Sequence, residues 1–151
     1  MYLATILSLM LGLPVISLLT TAGPTNAILS AGRWFVFWGV GVRLFVAGLR
    51  QVIQPSFTAK TIFRISYPDA EKLVTEIGFG NLAMGLIATL SLWVPVFLVP
   101  GALAGGLYLG LAGLKHAANE NRSRDENIAM ASDLWMALVA AIAIFAYYYN
   151  A

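Results

Sequence analysis

The sequence predicts an all-α fold: a polytopic membrane helix bundle with five transmembrane helices. Three observations predict it. Charged residues make up only 11% of the 151-residue chain, against about 25% in a typical soluble domain. They are also segregated. Seven lie between Arg50 and Glu76 and six between Lys115 and Glu126, which leaves Arg33, Arg43 and Asp133. The intervening stretches are almost purely apolar, giving a mean hydropathy of +0.81, and each is about as long as a bilayer is thick.

The first run spans residues 2–21 and carries no charge. It lacks the basic start and the clear cleavage site of a secretory leader, so it reads as a retained transmembrane helix. Gly23-Pro24-Thr25-Asn26 is a turn cluster that ends it. The second run, 27–49, holds Arg33 near its start and Arg43 near its middle, with Trp34 and Trp38 beside Arg33 as in an interfacial aromatic belt. Gln54-Pro55-Ser56 breaks this helix.

Between the second and third helices, Phe57, Ile62, Phe63 and Ile65 mix with Lys60 and Arg64. The alternatives are a short interfacial helix in the headgroup plane and a partly buried loop. Pro68-Asp69-Ala70-Glu71 has the proline and acids of a helix start. From Ile77 to Leu114 no residue is charged. At about 1.5 Å per residue this is roughly twice the hydrocarbon thickness, so the segment must turn once. Trp93-Val94-Pro95 through Pro100-Gly101 supplies the turn, between spans at 74–95 and 99–116. A re-entrant pair of half-helices is the alternative. The last span, 128–149, holds Asp133 near its start and ends in Tyr147-Tyr148-Tyr149, another interfacial belt.

Loops two and four carry Arg50, Lys60, Arg64, Lys72, Lys115, Arg122 and Arg124, while Arg33 alone lies on the other side. The positive-inside rule then places the N-terminus in the cytoplasm and the C-terminus outside. Gly101, Gly105, Gly106, Gly110 and Gly113 give the fourth helix a smooth face for another backbone. That face serves packing inside the bundle or self-association.

Arg43 is the sharpest anomaly, since an arginine at mid-helix costs about 2.5–3.5 kcal/mol to insert. It should face the bundle interior and find an acid. The expected arrangement is a buried polar cluster of Arg43, Arg50, Glu76, Asn81 and Asp133, acting as a static ion pair or as a functional charge set. His116, at the boundary after the glycine-rich helix, is a candidate ligand residue or a helix C-terminal residue interacting with the dipole. Asp125 and Glu126 fit a capping role, and Glu126 with Asp133 a paired-carboxylate one.

The chain has no cysteine and one histidine. Disulfides, thiolate metal sites, iron–sulfur ligation and a bis-histidine haem from this chain alone are excluded. No metal, cofactor or catalytic residue is indicated, and no nucleotide-binding or hydrolase motif appears. The net charge of +2 is too small to argue for nucleic acid.

The segments Glu76-Ile77-Gly78-Phe79-Gly80-Asn81-Leu82-Ala83-Met84-Gly85, Gly110-Leu111-Ala112-Gly113-Leu114-Lys115-His116 and Glu126-Asn127-Ile128-Ala129-Met130-Ala131-Ser132-Asp133 resemble a family of small bacterial multi-pass membrane proteins of unknown function. The likeness covers roughly Gly48 to Leu138 and is distantly similar to DoxX-like proteins. It implies a bacterial inner-membrane location and brings no activity. Three functions follow as expectations. The first is an accessory or structural subunit of a larger membrane complex, with other membrane subunits or its own copies as partners. The second is a small oligomeric transporter or ion pathway. The third is a quinone- or lipid-linked redox helper.

Overall fold

The computed structural model describes residues 2–21, 27–62, 65–67 and 69–150. The expected turn at Gly23–Asn26, and Phe63, Arg64 and Pro68, lie outside the described residues. The described residues form helices and no strands, and five helices are long and apolar enough to cross a membrane: α1 (Leu3–Thr21), α2 (Ala27–Ile53), α3 (Asp69–Leu90), α4 (Pro95–Ala117) and α5 (Arg124–Tyr149). The protein is a multi-pass membrane bundle.

Two antiparallel pairs dominate the packing, α2 with α3 and α4 with α5. Helix α2 also touches α1, α4 and α5, so it is the centre of the bundle. The core has contributions from all five helices: Ile6 and Met10, Val36, Val40 and Leu44, Ala88, Leu98, Ala102 and Leu109, Met136, Ala140 and Ala143. Alanine is common in that set because membrane helices gain from close backbone approach rather than from escaping water. Leucines such as Leu19, Leu73, Leu107, Leu111 and Leu138 are left on the outside, as a lipid-facing surface requires.

Two spans carry widened turns. Over Ser8–Gly12 the Leu13 N–H reaches back to the Ser8 carbonyl, five residues away. Pro14 follows directly; it has no N–H to give Met10, and its ring crowds that carbonyl. Over Val36–Val42 the same dilation ends with the Arg43 N–H on the Trp38 carbonyl. Gly39 and Gly41 lie in this wide turn, pressed against the Met136 side chain and the Thr89 backbone.

The chain leaves α2 at Gln54, whose N–H is held by the Arg50 carbonyl at 2.8 Å. Pro55 then starts a short helical segment, Pro55–Phe57 followed by the wide turn Thr58–Ile62. Ala59 from this segment is buried against Ala70 and Val74 of α3. Of the two alternatives the short helix is present, docked on the first turns of α3. Lys60–Glu71 and Lys72–Asp69 are exposed ion pairs and contribute little to stability.

Helix α3 ends at Leu90, whose carbonyl accepts from the Trp93 and Val94 N–H groups. After one tight turn at Pro95–Phe97 the chain returns as α4. The α3–α4 connection is thus a hairpin of two full spans. Arg122 closes the other connection, between α4 and α5. Its Nη1 donates to the carbonyls of His116, Ala117 and Asn119 at 3.3, 2.8 and 2.6 Å, and its Nε to Asn127 Oδ1 at 3.0 Å. A cation there satisfies carbonyls that the helix end leaves open and opposes its dipole. Ser123 and Glu126 then start α5 with a reciprocal capping box, while Asp125 sits in the same first turn.

Candidate functional site

The described side chains separate into an aromatic end, a mid-bundle polar layer and a charged end. At the aromatic end Phe37 sits edge-on to Trp34, Trp38 and Trp93, with centroids 5.9, 5.0 and 5.7 Å away. The Trp34 and Trp38 indoles donate to Thr21 Oγ1 and Ser17 Oγ on α1, at 2.8 and 3.0 Å. Gly32 packs on Ala143, which brings the tyrosine-rich end of α5 to the same end.

In the middle, Arg43 and Asp133 form the buried pair, with only 11% and 7% of their side chains exposed. Arg43 Nη2 donates to Asp133 Oδ1 and, at 3.0 Å, to Ser132 Oγ. The Ser132 hydroxyl in turn donates a hydrogen bond to the Ala129 carbonyl at 2.8 Å. Arg43 Nη1 is buried without a hydrogen-bond partner. Asn81, 3% exposed, donates from Nδ2 to Gln51 Oε1 at 2.7 Å, and its Oδ1 is likewise buried and unpartnered. Tyr108 of α4 lies beside both Asn81 and Asp133. The layer thus has contributions from α2, α3, α4 and α5.

The expected five-residue cluster is only partly assembled. Arg43 and Asp133 meet, and Asn81 is buried and bonded to Gln51. Arg50 and Glu76 are exposed instead. Arg50 lies in the last turn of α2 and stacks over the Phe57 ring, 3.7 Å from its centroid. Glu76 is off the buried stripe of α3, which runs through Val74, Gly78, Asn81, Gly85 and Ala88. Four partners were not anticipated. Gln51, Ser132 and Tyr108 are polar residues inside apolar stretches, a weak signal each; Arg122 gave none.

His116 is at the charged end, its Nδ1 3.5 Å from Glu126 Oε1, and Asn119 Nδ2 donates to the same carboxylate at 2.8 Å. Glu126 is therefore tied to the loop and to the cap rather than to Asp133. Among the described residues no group of three or more acidic or histidine side chains is placed to hold a metal ion.

The α4 glycines are internal contacts. A methyl on Gly101 would meet the Ala88 backbone, on Gly105 the Val40 side chain, on Gly106 and Gly110 the methyls of Ala140 and Ala137, and on Gly113 Leu134. The tightest backbone approach, however, is between α2 and α3, at Gly41, Gly48, Gly78 and Gly85. An apolar groove of about 430 Å³ runs along the outer side of the α4–α5 contact, with Gly106, Gly110 and Ala137 in its floor and Leu103, Leu107 and Leu111 on its rim.

No curated protein and no solved structure matches this chain significantly. A family of unknown function, DUF6790, matches residues 1–151, well beyond the Gly48–Leu138 stretch that carried the resemblance. The chain belongs to that family over its whole length.

Proposed function

We propose that this protein is a small accessory or structural subunit of a larger membrane complex, which presents the α4–α5 groove to a transmembrane helix of a partner chain. The observation that carries this reading is the groove itself. It follows α4 from Ala102 to Leu114, has small residues in its floor, and is bordered by leucines that face outward. Small floors with leucine rims let a second helix backbone come close. The chemistry-bearing residues support the same reading. Arg43 and Asp133 neutralise each other inside the bundle, and neither lines this groove or the polar cavity at Arg33. That arrangement suits a fixed clamp better than a conducting path.

Purification of the tagged native protein in gentle detergent, followed by native mass spectrometry, is expected to reveal a complex with other chains. Ala141→Phe, which fills the groove from an exposed position, should release the partner and leave the unfolding temperature unchanged. A monomer or a pure homo-oligomer of the wild type would sink the subunit reading and favour the ion-pathway alternative.

The charged end is proposed to face the cytoplasm, on the strength of its basic excess, in a bacterial inner membrane. The chain has no cysteine, so a single cysteine at Asn121 reports the side directly. It should resist an impermeant maleimide in intact cells, and a cysteine at Val96 should react. The reverse pattern refutes the orientation.

A further inference from the structure

Among the described residues Arg33 is the only basic one at the aromatic end, and no side-chain acid accompanies it there. Six of the seven acids lie between Asp69 and Glu126, and their contacts place them at or near the charged end, as with Glu71 on Lys60 and Glu126 on His116. The seventh, Asp133, is taken by Arg43. An interfacial arginine would ordinarily extend toward the headgroups. Arg33 is instead turned into the bundle. Its Nη2 donates to the Leu92 carbonyl in the α3–α4 turn, at 3.1 Å, and its Nε is buried with no hydrogen-bond partner.

Beside this guanidinium is a cavity of about 220 Å³ bordered by Thr21, Ser30, Arg33, Trp34 and Leu92. The recess sets a guanidinium with no acidic partner among the described residues between walls from α1 and α2 and one indole. The Trp34 N–H is already committed to Thr21, so that wall is fixed rather than free to rotate into the space. A guanidinium in such a recess calls for an anion whose oxygens can take several N–H donors at once, and phosphate has that geometry. A carboxylate offers fewer oxygens, and the cavity is larger than one carboxylate needs. We propose that this recess is a binding site for a phosphate-bearing anion, with Arg33 as the counter-charge. The phosphate is that of a lipid headgroup or of a free phosphate.

The test is a titration of the delipidated full chain, followed by native mass spectrometry, with phosphatidylglycerol in one arm and inorganic phosphate in the other. Saturable retention of one phosphatidylglycerol, not displaced by inorganic phosphate, identifies the lipid source. Binding of inorganic phosphate, or its competition with the lipid, identifies the free anion. In either case Arg33→Gln should weaken binding about tenfold or more, the loss expected for one charge-assisted hydrogen-bonded partner, and Arg33→Lys should weaken it less.

Since Arg33 also holds the Leu92 carbonyl, Arg33→Gln is to be compared with Ser30→Leu. That variant fills the cavity and keeps the cation, and it should abolish binding with the Arg33–Leu92 contact retained. Equal binding by wild type, Arg33→Gln and Ser30→Leu, or no saturable binding of either probe to wild type, overturns the proposal.

Discussion

Replacing Asp133 with alanine is expected to destabilise the bundle by about 3–5 kcal/mol, the range seen when one partner of a buried ion pair is removed. The cost arises from what remains. Arg43 would keep its charge in a dry interior, with Ser132 Oγ as its nearest acceptor and one terminal nitrogen already unpartnered. It cannot neutralise itself, because an arginine does not lose its proton in proteins. Nor can it extend easily to water, since it lies in the middle of α2 among Val36, Val40 and Leu44.

Replacing both partners, as in Arg43→Met with Asp133→Leu, should recover most of that loss, because the desolvation cost of both charges disappears with them. Thermal unfolding in a single detergent measures both effects. The comparison also separates the two roles open to this pair. If the double variant folds and still assembles with its partners, the pair is a clamp that sets the register of α2 against α5. If it folds but fails in the cell, the charges do more than hold helices together. Recovery no better than in the single variant would refute the account of an uncompensated cation.

That pair was the most legible part of the layer. Two opposite charges stood alone inside apolar runs, and the cost of leaving either unpaired dictates that they meet. The five spans were legible for the same reason, since long uncharged runs leave a chain few other places to go.

Glu76 stands apart from the expected cluster because of the direction of its side chain, not its distance along the helix. Glu76 and Asn81 are five residues apart, roughly 140° around the helix, so only one of them can share the stripe formed by Val74, Gly78, Gly85 and Ala88. The sequence contained that information. Arg50 does fall seven residues after Arg43, near the same face. Its fate was decided by Phe57, which the break at Gln54-Pro55 folds back beneath it. Such a contact depends on the path of the chain after α2, and no local periodicity encodes it. The widened turn at Val36–Val42 was equally invisible, because it shifts the register of α2 without changing its hydropathy.

Gly85→Ala is expected to cost about 3 kcal/mol or more, toward or beyond the upper end of ordinary overpacking, whereas Gly80→Ala should be neutral or stabilising by up to about 1 kcal/mol. The two residues are on one helix and five positions apart, so composition and propensity treat them alike. What differs is the neighbour. A methyl on Gly85 would run into the Phe45 backbone nitrogen and lie 2.8 Å from its Cα and 2.9 Å from the Gly41 carbonyl oxygen. Backbone atoms cannot rotate away as a side chain can, so α2 and α3 would have to separate.

The approach is as close at Gly48, where a methyl would lie 2.7 Å from both the Gly78 carbonyl oxygen and the Leu82 nitrogen, so the seam would open along much of its length. Opening it would also pull Gln51 from Asn81 and expose the polar layer. A methyl on Gly80 would meet nothing within 4 Å and would only reduce the freedom of the unfolded chain. Equal unfolding temperatures for the two variants would refute the seam. A large loss confined to Gly85→Ala would show that α2 and α3 are held by backbone contact. The charge pair and the α4–α5 groove would then both be built on a scaffold that does not depend on them.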